Sequence, residues 1–194
     1  MKRKVLLLVF VIFLISILAG CGAFNLSNWV CPDDLEFITT IEELDTPQKI
    51  SDYMIANFIH ERHGLWTPSP YTLWKTGKGD CNDFATFGVF VAHWHGYETY
   101  TIKLIYIGMF WEHWLGVYLE DDGFSYTDNK SYRIYDYLND IYGFNSFKEV
   151  VDFACIHHPE WKLKEYIVYD YENRIIERGS KGIESQDPDS LSGG

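Results

Sequence analysis

Cys81, His113 and Asp128 bring together a thiol, an imidazole and a carboxylate, the side chains that covalent acyl chemistry uses. A thiol nucleophile needs a base that takes and returns its proton, and the base needs an acceptor that orients it. Cys81 stands in the run Gly79-Asp80-Cys81-Asn82-Asp83-Phe84-Ala85. Asp80 suits a helix N-cap there and Cys81 the first helical position. Asp83 follows three residues after the cap, where a carboxylate suits the unpaired amides and the helix dipole. A thiol at that positive end gives up its proton more readily, and the thiolate is the reactive form. A small core thiol is the other reading of the same turn, and the turn alone does not decide between them.

Whether His113 and Asp128 can serve one another depends on a hairpin. Residues 112–119 and 124–129 read as strands, with His113, Leu115, Val117 and Leu119 on one face and Phe124, Tyr126 and Asp128 on one face. A two-residue turn at Asp122-Gly123 would set Asp128 opposite Val117, about 13 Å along the strand from His113. A three-residue turn would send Asp128 to the wrong face. A four-residue loop over 120–123 opposes Leu115 to Asp128. His113 and Asp128 are then diagonal neighbours on one face, with Cβ atoms about 7–8 Å apart, within reach of a hydrogen bond. Catalysis requires that register.

The surrounding elements must hold these strands and the cysteine together. Thr46 and Pro47 cap and open a helix expected over 46–62, followed by an aromatic, proline-containing loop over 65–78 with Trp66, Tyr71 and Trp74. That loop, just upstream of Cys81, is expected to wall the site. Phe84, Phe87, Gly88, Val91 and His95 give the Cys81 helix an inward face, and Gly96 ends it. A strand is expected over 99–107 and another within 132–137. Ser146 and Glu149 form a capping box for a helix to about residue 155, and a strand pair follows over 162–176. The pattern is α+β, with the cysteine helix packed on an antiparallel sheet. An 18% aromatic content in 194 residues suits one compact domain, expected over 44–179, with a small, polar tail over 180–194 expected to be disordered.

The N-terminus reads as a targeting segment. Lys2, Arg3 and Lys4 precede an apolar run over 5–18 that is short for a spanning helix. Leu18-Ala19-Gly20-Cys21 resembles a bacterial lipobox, which implies removal of residues 1–20, lipidation of Cys21 and a tether over 21–43. A plain signal peptide or an uncleaved anchor is the alternative. The lipobox resemblance implies a mature protein outside the cytoplasm, held to a bacterial membrane by lipid alone. The formal charge of −12 becomes more negative once the basic residues are cleaved away, and it disfavours nucleic acid and anionic lipid as partners. Cys31 and Cys155 remain, either as a disulfide or as two separate thiols.

The run Gly79 to Ala85, the helix and strand after it, His113, and Asp128 in Tyr126-Thr127-Asp128-Asn129 together resemble the transglutaminase-like, papain-like cysteine enzyme core. The aromatic loop before Gly79 and the Asp128-Asn129 ending resemble its bacterial cysteine peptidase branch. The resemblance covers about residues 46–129. It implies Cys81 as nucleophile, His113 as general base and acid, and Asp128 as orienter. It also implies a second oxyanion donor upstream of the Cys81 amide, for which Trp74, Trp66 and Tyr71 are all candidates. Trp111 and Glu112 depart from the pattern: they would narrow the groove or raise the histidine pKa.

Such an enzyme attacks an amide carbonyl of a protein or peptide, and a thioester then passes to water or to an amine. Peptidase, deamidase and transglutaminase are the resulting activities, and none of them calls for a cofactor. A non-catalytic binding module of the envelope on the same fold is the alternative from another class. No metal site is expected: the pairs His60/His63, His93/His95 and His157/His158 lack a full zinc ligand set, and Glu120-Asp121-Asp122 reads as a solvated turn rather than a calcium loop.

Overall fold

The computed structural model describes residues 26–180 apart from 64–66, 130, 134 and 138–139. The segment 1–20, lipidation at Cys21, Trp66 and the tail from 181 onward therefore lie outside the described residues. The folded part starts earlier than the expected boundary at residue 44. Asp34 accepts the amides of Glu36 and Phe37 and opens α1 (Leu35–Glu43). Phe37 and Ile41, one turn apart, are completely buried. The second half of the expected tether is thus core, because two apolar residues at i, i+4 suffice once other helices cover them.

Thr46 caps α2 (Pro47–Asn57), which ends five residues short of expectation. Phe58 turns extended, and β1 (Ile59–His60) pairs in parallel with β2 (Lys78–Gly79). The loop expected between them contains α3 (Pro70–Thr76), capped by Ser69 and stopped by Gly77 at φ 65°. Ser-Pro at the start and glycine at the end are ordinary helix punctuation, here hidden by the aromatic residues around them. The parallel pair β1–β2 leads directly into α4 (Cys81–Trp94).

The remaining strands are β3 (Glu98–Tyr106), β4 (Glu112–Glu120), β5 (Gly123–Asp128), β6 (Ser131–Arg133), β7 (Tyr135–Tyr137) and β8 (Asp140–Tyr142). After them come α5 (Phe147–Ile156), β9 (Leu163–Asp170) and β10 (Ile175–Gly179). Six strands form an antiparallel sheet in the order β10-β9-β3-β4-β5-β6, and β7 pairs with β8 separately. Alternation along β4 feeds two cores. Tyr118 joins Phe84, Phe87 and Val91 of α4 on one face, while Leu115 and Val117 join Val150, Val151 and Ala154 of α5 on the other. Cys31 packs against the first core and Cys155 against the second, and no disulfide joins them. The α+β class, with the cysteine helix on an antiparallel sheet, is as the sequence pattern has it.

Glycine lets α4 approach the sheet closely. A Cβ at Gly88 would collide with the Tyr118 hydroxyl, which hydrogen-bonds Thr127 Oγ1 at 2.9 Å. A Cβ at Gly116 would lie 2.9 Å from the same hydroxyl. The β4–β5 hairpin pairs Leu115 with Asp128 and Leu119 with Phe124, the register catalysis requires. The ladder runs one pair further, to Glu120 and Gly123, leaving Asp121-Asp122 as a two-residue turn with Gly123 at φ 122°.

Candidate active site

Asp80 and Asp83 build the mouth of α4. Asp80 Oδ1 accepts the Asn82 amide at 3.1 Å, its side chain also takes the Asp83 amide, and Asp83 Oδ2 accepts the Asp80 amide at 2.7 Å. This reciprocal capping box fixes the first turn. The side-chain cap takes the second and third amides of the helix. The Cys81 side chain is half-buried, with Sγ 3.9 Å from the Glu112 carbonyl oxygen at the start of β4.

His113 follows Glu112 on β4 and is buried, and its Nε2 meets Asp128 Oδ1 at 2.8 Å. Cys81 lies near enough to act on the same imidazole. Burial pushes the imidazole pKa down, but the hydrogen bonds to Asp128 and then to Cys81 outweigh it and raise His113 to about 9. For Asp128, burial pulls upward, and His113 and His158 together hold the carboxyl below its usual range. His113 therefore carries its proton at neutral pH against an ionised Asp128. Cys81 at the start of α4, His113 on β4 and Asp128 on β5 are thus brought to one region of the fold.

Trp111 and Glu112 are both engaged with other side chains. The Glu112 carboxylate is paired with Lys103 on β3, and Trp111 packs edge-on against Trp161 at 4.7 Å and beside Tyr106. Tyr71 and Trp74, two of the oxyanion candidates, serve a different purpose. The Tyr71 hydroxyl donates to Asp34 Oδ2 at 2.7 Å, and the rings of Tyr71 and Trp74 lie against Phe37 of α1. Both rings pack the interface between helices, because α3 turns this face toward α1. The third candidate, Trp66, lies outside the described residues.

Two histidines escaped the sequence pattern. His63 bonds Asp83 Oδ2 and lies 3.8 Å from Asp80 Oδ2, so it grips the capping box from outside the helix. Burial raises Asp83 to about 6 despite that bond. Asn82 Oδ1 and Asp83 Oδ1 are buried with no hydrogen-bond partner among the described residues. His158, from the turn after α5, places Nε2 3.4 Å from Asp128 Oδ2. No local signal marks either residue, since each meets its partner through long-range packing.

The fold and site define a class: an α+β protein with a thiol at a helix N-terminus facing a buried histidine–carboxylate pair on an antiparallel sheet. No family model matches the chain, and no curated protein matches it. Among solved structures, the calcium-bound LapG of Legionella pneumophila is similar at a TM-score of 0.42 and 14% identity, covering 76% of this chain and 79% of that chain.

Proposed function

We propose that this protein is a cysteine enzyme of the transglutaminase-like kind that acts on protein or peptide amides. The observation that carries the proposal is the buried His113–Asp128 pair at 2.8 Å, with Cys81 acting on the same imidazole from the N-terminus of α4. The protonated His113 lies beside the thiol and holds the proton that the leaving group will need. Cys81 Sγ attacks the carbonyl carbon, and the oxyanion takes a hydrogen bond from the Cys81 amide at the positive end of α4. His113 gives its proton to the leaving amine or ammonia as the C–N bond breaks. Water or an acceptor amine then gives a proton to His113, attacks the thioester and releases the thiolate. Water as acceptor makes the protein a peptidase or deamidase, and an amine makes it a transglutaminase.

The lipobox-like run ending at Cys21 extends the proposal to place: the enzyme works outside the cytoplasm on a lipid anchor. Radiolabelled palmitate should label the full chain and fail to label Cys21→Ala; equal labelling would remove the anchor. For activity, residues 22–194 and their Cys81→Ala variant are incubated with glutamine-rich proteins and a labelled amine, while ammonia and new N-termini are followed. Cys81-dependent incorporation, ammonia or new termini identifies the three activities in turn. Absence of any Cys81-dependent signal across several substrates, together with no labelling by thiol probes, would refute the catalytic proposal.

A further inference from the structure

We propose that His158 is a positioning residue of this site, holding the second oxygen of Asp128 so that the first stays aimed at His113. The proposal rests on the Cys81–His113–Asp128 reading and adds a fourth member to it. A carboxylate can rotate about its last bond, and one hydrogen bond does not fix its plane. Asp128 is nearly inaccessible, and its two oxygens divide their partners. Oδ1 takes His113 Nε2 at 2.8 Å and Asn129 Nδ2 at 3.4 Å. Oδ2 meets His158 Nε2 at 3.4 Å, and His158 is the group that faces it among the described residues. An ionised carboxylate only accepts, so this His158 nitrogen must carry the proton. The contact is long for a hydrogen bond, as such contacts often are before substrate draws a site together.

The His158 ring is itself held. It lies flat on Trp161, with centroids 3.9 Å apart and planes within 2°, and Trp161 is braced edge-on by Trp111 at 4.7 Å. The backbone closes the same turn, with the Trp161 amide donating to the His158 carbonyl at 2.9 Å and the His158 amide to the Cys155 carbonyl at 3.2 Å. His158 also meets the His113 ring edge-on at 5.7 Å, so one residue touches both members of the buried pair. Trp111 thereby acts as an outer brace. The stack fixes the ring plane, the ring fixes Oδ2, and Oδ2 fixes the carboxylate that His113 needs.

The ionisable groups that face Asp128 are therefore His113 and His158, and those that face His113 are Asp128, Cys81 and His158, with Tyr106 buried nearby. Two variants separate positioning from bulk. His158→Phe keeps a flat ring for Trp161 and loses the donor, whereas His158→Gln keeps an amide donor and loses the ring. The readout is the ¹⁵N NMR titration of the His113 imidazole, which works whether or not any substrate is known. The wild type should titrate at about 9. With Oδ2 released, Asp128 should hold His113 less well, and His158→Phe should lower that midpoint by about one pH unit, within the range a neighbouring charge commands. His158→Gln should restore part of it. Thermal unfolding is followed in parallel. An unchanged His113 midpoint in His158→Phe would overturn the proposal, and so would equal shifts in both variants that track lost stability. If His113 moves as expected while Cys81 shows no reactivity in the wild type, the positioning role stands and the enzymatic reading falls.

Discussion

Replacing Asp128 by asparagine keeps the side chain's shape and removes the charge that retains the His113 proton. His113 stands at about 9 against a reference of 6.5. That difference is worth about 3 kcal/mol in favour of the imidazolium, at about 1.4 kcal/mol per pH unit. Burial opposes it, and among the favourable contributions the Asp128 hydrogen bond is the largest. In Asp128→Asn the burial cost remains while its main opponent is weakened, so the His113 midpoint should fall below about 7. The assay is the alkylation rate of Cys81 by iodoacetamide across the pH range, resolved from Cys31 and Cys155 by peptide mapping. In the wild type, enhanced reactivity should extend up to about pH 9, where His113 loses its proton. In the variant that enhancement should end near neutrality, with turnover on any identified substrate down by at least about 100-fold, the size of a general acid–base contribution. The same upper limit in both proteins would refute the assignment of Asp128 as the group that governs His113.

The same pair links stability to pH. The folded-state His113 value lies above the unfolded one, so its contribution is full below about pH 6.5 and is lost as pH rises through about 9. Urea unfolding of wild type and His113→Gln should differ most at the acidic end of that window and converge above it, whereas a constant difference would contradict the linkage. Gly88→Ala should destabilise by about 1–3 kcal/mol although alanine favours helix, because its Cβ meets the Tyr118 hydroxyl. Adding Tyr118→Phe should recover part of the loss, and strictly additive unfolding energies would argue against that contact. Phe37→Ala should cost about 3–5 kcal/mol, since the ring is completely buried; a change under about 1 kcal/mol would return α1 to the status of a tether.

What could be read from the sequence was local or periodic. The cap at Asp80, the strand alternation and the hairpin are all short-range features, and together they place His113 and Asp128 on one face of adjacent strands. The register came out through a turn of two residues at Asp121-Asp122, because Gly123 at φ 122° extends the ladder by one pair. The helix α1 was hidden because one turn of apolar spacing looks like chance until Tyr71, Trp74 and Phe90 close over Phe37. The aromatic loop misled for a related reason: Tyr71 and Trp74 are large enough to wall a groove, and they pack a helix interface instead. His63 and His158 lie 20 and 30 positions from the carboxylates they meet, and only the assembled fold brings each pair together.

Site-resolved labelling of the thiols tests the central claim most directly. The folded domain is treated with a limiting amount of an electrophilic peptide probe at neutral pH, and the adducts are mapped by mass spectrometry. Cys81 should take the label well ahead of Cys31 and Cys155, and His113→Ala should abolish that preference while circular dichroism shows the fold intact. Equal labelling of the three thiols, or Cys81 labelling that survives His113→Ala unchanged, would contradict a nucleophile activated by the buried histidine.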